Sequence, residues 1–341
     1  MAAADGRDEP GRAGIGVVAD ESHPVIYPSR FTLMRPLVLI NDAAGTSQSN
    51  GAGNQAEQVR GAFAALGVSV DVLSVKGLEL AGVARREAEG GRALIIAGGG
   101  DGTISSVAGA VAGTKVALGV LPLGTLNHFA KDLGLPLTLA DAAAVIAAAV
   151  NAGLDDAHVR AVDVAEVNGR VFINNSSIGL YPHIVRKRDR QMHRLGRGKW
   201  LAMLIAGVSV FRRFPTVRVR LSLEGETYPR TTPFVFVGNN RYEFDLFNFG
   251  RRVVMDGCEL GVYFANRTGR FGLLVLMVRA LLGRLEQAKD FDSTCVRELW
   301  IDTPKKHLRV AVDGEVVELK PPLHYRSRPY DLRVVVGAGV G

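Results

Sequence analysis

Gly98-Gly99-Gly100-Asp101-Gly102-Thr103 sets three bare backbone positions and one carboxylate between the apolar run "LIIA" and a stretch rich in small helix formers. Without a Cβ, the N–H groups of Gly98, Gly99 and Gly100 can approach phosphate oxygens closely. A helix opening after Thr103 directs its positive end at the same point. Asp101 would repel phosphate unless it bound a metal ion, a cationic group or a hydroxyl. A tight turn with an Asx cap would use the same residues without any ligand.

A second loop, "PLGTLNHFAKDLGLP" (122–136), follows the next apolar run, "KVALGVLP". Thr125 and Asn127 can donate there to phosphate or to base edges. In open α/β sheets ligands bind beyond the carboxyl ends of the strands, so two such loops on consecutive strands form one concave site. The chain has no Gly-x-x-x-x-Gly-Lys-Ser/Thr, which excludes a P-loop. "GAGNQA" (51–56) fits a dinucleotide fingerprint only superficially, because Gly51 comes roughly ten residues after the strand that should run into it.

These loops need a scaffold, and the hydrophobic pattern supplies one. From residue 36 apolar runs such as "LVLI", "VSVDVL" and "ALIIAG" alternate with helical patterns such as "NQAEQVRGAFAAL", for which Gly67 is the C-terminal stop. Thr138 and Asp141 open "TLADAAAVIAAAVNAG" in the manner of a capping box. This alternation predicts a doubly wound, Rossmann-like parallel sheet over 34–157. From 158 the pattern changes to hairpins, with Asn168-Gly169, Glu224-Gly225 and Asp313-Gly314 as the turns. They predict a β-rich, antiparallel sandwich over 158–328. The last strand, within 329–341, could pair with either domain, and residues 1–33 read as a flexible extension.

The chain has 341 residues, is 47% hydrophobic and carries a formal charge of +7, enough for about two globular domains and suited to an anionic partner. Two cysteines are too few for a disulfide framework and fit a reducing, cytoplasmic setting. The start has acidic residues and lacks the apolar core of a secretory signal. The apolar segments 200–211 and 271–283 are shorter than the roughly 20 residues of a spanning helix, so peripheral contact is the expectation. The basic run 186–199 has no aromatic residue to stack on bases, which argues against nucleic acid. Followed by Trp200, it is either a solvated loop before a core helix or an interfacial segment.

The ordered set "GGGDGT", "PLGTLNHFAKDLGLP", "VNGRVFINNSSIGL", "VVMDGCELGVYF" and "VAVDGEVVEL" resembles the catalytic domain of the diacylglycerol kinase family, which includes bacterial lipid kinases and sphingosine and ceramide kinases. The likeness runs from about Arg35 to about Val336. It implies a nucleotide-binding α/β domain, a lipid-binding β-rich domain and a cleft between them where ATP phosphorylates a lipid hydroxyl. On the matching positions, Gly99, Gly100, Asp101 and Thr103 would hold the phosphates of ATP and its Mg2+, with Thr125 and Asn127 completing the pocket. Asn41 and Gly45 match the ends of the family's Asn-Pro-x-Ser-Gly nucleotide loop, Glu315 stands at the general-base position, and Asp256 matches a structural metal ligand of bacterial members.

The sequence also departs from the family pattern. The first loop, Asn41-Asp42-Ala43-Ala44-Gly45, lacks the Pro and Ser, and in the second loop Leu126 and His128 replace the usual Gly and Asp. A kinase of NAD or of another soluble substrate shares the Gly-Gly-Asp-Gly loop, but the second loop argues against it. A non-catalytic nucleotide-binding regulator would also fit the altered first loop. An edge strand could support a homodimer.

Overall fold

The computed structural model describes residues 35–42, 51–179, 216–223, 225–244, 249–252, 254–265 and 291–338. Gly45, the extension 1–33, the basic run 186–199 and the apolar segments 200–211 and 271–283 lie outside the described residues.

The first part alternates β1 (Leu37–Asn41), α1 (Gly51–Ala64), β2 (Asp71–Val75), α2 (Leu80–Glu89), β3 (Leu94–Gly99), α3 (Asp101–Val111) and β4 (Ala117–Pro122). The short α4 (His128–Asp132) and then α5 (Leu139–Asn151) follow. The four strands run parallel in the order β2-β1-β3-β4. Every residue of β3 and β4 is buried, as expected of parallel strands covered on both faces. Gly67 has φ +73 and closes the turn after α1, its N–H donating to the Ala64 carbonyl at 3.0 Å. The Thr138 hydroxyl accepts from the Asp141 N–H at the start of α5.

The chain then builds β5 (Val159–Val167), β6 (Arg170–Phe172), β7 (Asn175–Gly179), β8 (Val217–Leu223), β9 (Glu226–Thr232), β10 (Phe234–Asn239), β11 (Tyr242–Phe244) and β12 (Phe249–Arg252). After them come β13 (Leu260–Ala265), β14 (Phe291–Val296), β15 (Glu298–Asp302), β16 (Leu308–Val312), β17 (Glu315–Leu319) and β18 (Leu323–Val335). The two-residue turns form where Asn-Gly and Asp-Gly stand: Asn168 and Gly169 have φ +47 and +81, Asp313 and Gly314 +46 and +85. Both central residues of such a turn need positive φ, which Asn, Asp and Gly tolerate best.

One antiparallel sheet runs β14-β13-β10-β7-β16-β17. The other continues the parallel sheet: β18 lies parallel to β4 through Arg333 and Val334, antiparallel to β15 through Leu323–Arg326, and antiparallel to β5 between Tyr325 and Val335. Between the two sheets lies one apolar core, to which Val219 and Leu221 of β8, Val235 and Val237 of β10, Val262 of β13 and Tyr325 of β18 contribute. The fold is therefore α/β, a parallel sheet joined to a β-rich antiparallel unit.

Candidate active site at the meeting of the glycine loops and the second sheet

At the carboxyl end of β3, Gly100 is extended (φ −86, ψ −176) and α3 starts at Asp101. The first intrahelical bonds are made by the N–H groups of Thr103 and Ile104, both to the Gly100 carbonyl, at 2.9 and 3.1 Å. Helix geometry leaves the amides before them without an intrahelical acceptor, which is the arrangement that receives anions.

The glycines are required by contact as well as by ligand access. A Cβ on Gly99 would stand 2.5 Å from Thr103 Oγ1, and one on Gly124 would stand 2.4 Å from the Gly100 Cα. The two loops thus lie glycine on glycine, and the Leu123 N–H donates to the Gly99 carbonyl at 3.0 Å. Gly98 is wedged more ordinarily between Ile40 and Leu123.

Asn127 takes a left-handed conformation (φ 51, ψ 48). Its amide donates to the carbonyls of Pro122 and Gly124 at 3.1 and 3.0 Å, so both donors are spent on its own loop and not held out toward phosphate. Its Oδ1 is buried without a partner, and so is Asp101 Oδ1. Thr103 is buried with its side chain under Gly99, whereas Thr125 is exposed on the second loop. Asn41 ends β1 half-buried, with its side chain against Gly77 beyond β2.

Two orphaned oxygens suit a bound cation or donor, because a buried acceptor left unpaired is costly. Among the described residues no group of three or more His, Cys, Asp or Glu is arranged to hold a metal ion. Asp256 lies elsewhere, and its carboxylate pairs with Arg160 at 3.0 Å. It does not line the cleft described next.

A cleft of about 410 Å3 separates α2 and α3 from the turns of the second part; Arg85, Gly102 and Ser105 line one side, Arg170, Asp313 and Glu315 the other. Glu315, first in β17, is exposed and ion-paired with Arg170, first in β6. The structure brings Gly102, in the first turn of α3, and Glu315 to one cavity from distant parts of the sequence.

Three polar groups were not picked out as site residues by sequence. Asp313 accepts from the backbone N–H groups of Ile173, Asn174 and Asn175 at 2.9, 2.9 and 3.0 Å and from the Ser105 hydroxyl of α3. Burial pushes its carboxyl pKa up, while Ser105 and the three amides pull the other way. Arg252, fully buried, pairs with Asp132 at 2.8 Å, donates to the Ile173 carbonyl at 2.6 Å and lies over the Phe129 ring. Asp163, also fully buried, accepts from the N–H groups of Cys258 and Tyr330 and from Asn240. Only Asp313 had a local signal, its place in an Asp-Gly turn, and that signal describes the turn alone.

The profile of the diacylglycerol kinase catalytic domain family matches residues 35–166. A protein of Pseudomonas putida named probable lipid kinase YegS-like is 33% identical over 294 residues, 83% of this chain and 92% of its own length. The protein of the same name from Pseudomonas aeruginosa is 33% identical over 196 residues, and there the match spans 61% of the relative's length. A crystal structure titled as a diacylglycerol kinase of Bacillus anthracis superposes with a TM-score of 0.62, covering 91% of this chain and 99% of that one; at 20% identity it speaks for the fold. With 33% identity to a relative that it covers over 92% of its length, the chain belongs to the diacylglycerol kinase catalytic domain family, among the YegS-like lipid kinases.

Proposed function

We propose that the protein transfers the γ-phosphoryl group of ATP to the hydroxyl of diacylglycerol or a related lipid, working in the cytoplasm at the membrane surface. The observation that carries this reading is the shared cleft: Glu315 faces the opening turn of α3 across a cavity that also holds Arg85 and Arg170.

Residues 34–157 would bind the nucleotide and 158–328 the lipid, with the segment 329–341 returning to the first domain. Amides of residues 98–102 would receive phosphate oxygens, Thr125 would donate from the second loop, and Asn41 would bound the nucleotide pocket. Mg2+ bound with ATP would offset the charge on its phosphates, and Asp101 is the residue to hold it. Glu315 would accept the proton of the lipid hydroxyl as its oxygen attacks the phosphorus, a contribution on the order of 10²–10⁴ in rate. Phosphoryl transfer asks little covalent chemistry of the protein, so position and charge are what these residues supply.

The test is a kinase assay with labelled ATP and diacylglycerol vesicles, the product identified by mass. Wild type should yield a phosphorylated lipid, whereas Asp101→Ala and Glu315→Gln should each lose at least about 100-fold in turnover with the fold intact. Full activity in either variant would refute that residue's role. Phosphorylation of soluble acceptors alone would replace the reading with a soluble-substrate kinase. Nucleotide binding without turnover, which the altered first loop makes worth measuring, would replace it with a regulator.

A further inference from the structure

We propose that Asp313 is a positioning residue and that its bond to Ser105 links the nucleotide-side helix to the turn carrying Glu315. The inference rests on the reading of Glu315 as the base. Asp313 stands two residues before Glu315, at φ +46 in the turn between β16 and β17. One carboxylate fills four roles at once. Oδ1 takes the Asn174 and Asn175 amides, and Oδ2 takes the Ile173 amide and the Ser105 hydroxyl. The Asp313 N–H returns a bond to the Asn175 carbonyl at 2.8 Å. The turn is thereby tied to the start of β7 and, through Ser105, to α3.

Ser105 lies one helical turn after Asp101, on the helix whose first turn meets the phosphates in the proposed reaction. Among the described residues, the Ser105 to Asp313 bond joins α3 directly to the turn of Glu315. A shift of α3 on loading nucleotide therefore reaches Glu315 through one hydrogen bond. Glu315 itself is exposed and, among the described residues, its carboxylate is held by Arg170, so its backbone position depends on the turn. Misplacing a catalytic group by about 1 Å can cost on the order of 100-fold, which makes the anchor of this turn relevant to rate.

Ser105→Ala removes the cross-link and leaves Asp313 its three amide donors, so the fold should survive. In the lipid kinase assay kcat should fall about tenfold with the KM for ATP unchanged, and Ser105→Thr, which keeps the hydroxyl, should recover most of it. In a Glu315→Gln background the same change should cost nothing further, because the effect passes through Glu315. Hydrogen exchange gives a readout that does not need turnover: Ser105→Ala should speed exchange of the amides of 173–175 and 315–317. Wild-type kcat in Ser105→Ala, an equal loss without Glu315, or unchanged exchange would overturn the link. Faster exchange in a protein that phosphorylates no lipid would uphold the link and refute the proposed reaction.

Discussion

Gly124 lies directly on Gly100: a Cβ at Gly124 would stand 2.4 Å from the Gly100 Cα and 2.9 Å from Asn127 Oδ1. Backbone cannot retreat as a flexible side chain can, so Gly124→Ala must push the two loops apart. The expected cost is about 1–3 kcal/mol of stability from overpacking, with ATP affinity down at least about tenfold. Gly61→Ala is the control, since nothing lies within 4 Å of a Cβ there in the middle of α1. That change should raise stability by about 0.5–1 kcal/mol. Thermal unfolding and ATP titration of the two variants check this; normal ATP binding by Gly124→Ala would contradict the packed-loop geometry.

Arg252 is completely buried against an Asp132 side chain that is only 8% exposed. Removing the guanidinium strands a carboxylate in the interior and takes a donor from the Ile173 carbonyl. Arg252→Met should therefore lose about 3–5 kcal/mol in denaturant unfolding. Replacing both partners, as Arg252→Met with Asp132→Leu, should restore at least half of that, because no unpaired charge remains. A double variant less stable than the single one would mean that the pair's hydrogen bonds, and not the stranded charge, dominate.

How much of this was legible in the sequence follows from the range of each interaction. The turns at Asn168-Gly169 and Asp313-Gly314 and the cap at Thr138 depend on neighbours a few residues away, and they form where the sequence predicts them. The meeting of the two glycine loops was also readable, since β3 and β4 are consecutive parallel strands. The partner of Asp132 lies 120 residues on, and that of Ser105 lies 208 residues on, so no local pattern announces either. Asn127 shows the opposite failure: its residue type suggested a ligand donor, but the left-handed turn aims its amide at the Pro122 and Gly124 carbonyls. Gly45 and the basic run 186–199 lie outside the described residues.

Glu166 on β5 supplies a pH prediction. Burial pushes its carboxyl up, but Arg326 and Arg328, at 3.1 Å each, prevail and hold it below its usual 4.5. A carboxylate depressed in the folded state contributes stability that is present above the unfolded value and lost as pH falls through the folded one. The stability difference between wild type and Glu166→Gln should hence be steady at neutral pH and shrink below about pH 4.5. Asp313 and Asp331 have the opposite sign, because burial raises both, so their contribution favours the folded state more at acid pH. Denaturant midpoints of the two proteins across acid pH separate the cases; a difference that widens toward acid would be inconsistent with the Glu166 assignment.

Arg170 and Glu315 form a pair whose side chains are 43% and 67% exposed. Pairs so open to solvent contribute only about 0–1 kcal/mol to folding, so the fold does not depend on this contact. Its consequence should lie in the reaction, because Arg170 orients the carboxylate proposed as base and stands in the cleft where phosphate charge would collect. Arg170→Met should leave the melting temperature nearly unchanged while turnover falls on the order of tenfold. Arg170→Lys should recover only part of the loss, since an ammonium keeps the charge but cannot hold a carboxylate through a planar fork. Steady-state kinetics with diacylglycerol vesicles, alongside thermal unfolding, would decide it. Parallel losses of stability and rate would make Arg170 a structural residue, and wild-type turnover in Arg170→Met would remove it from the reaction altogether.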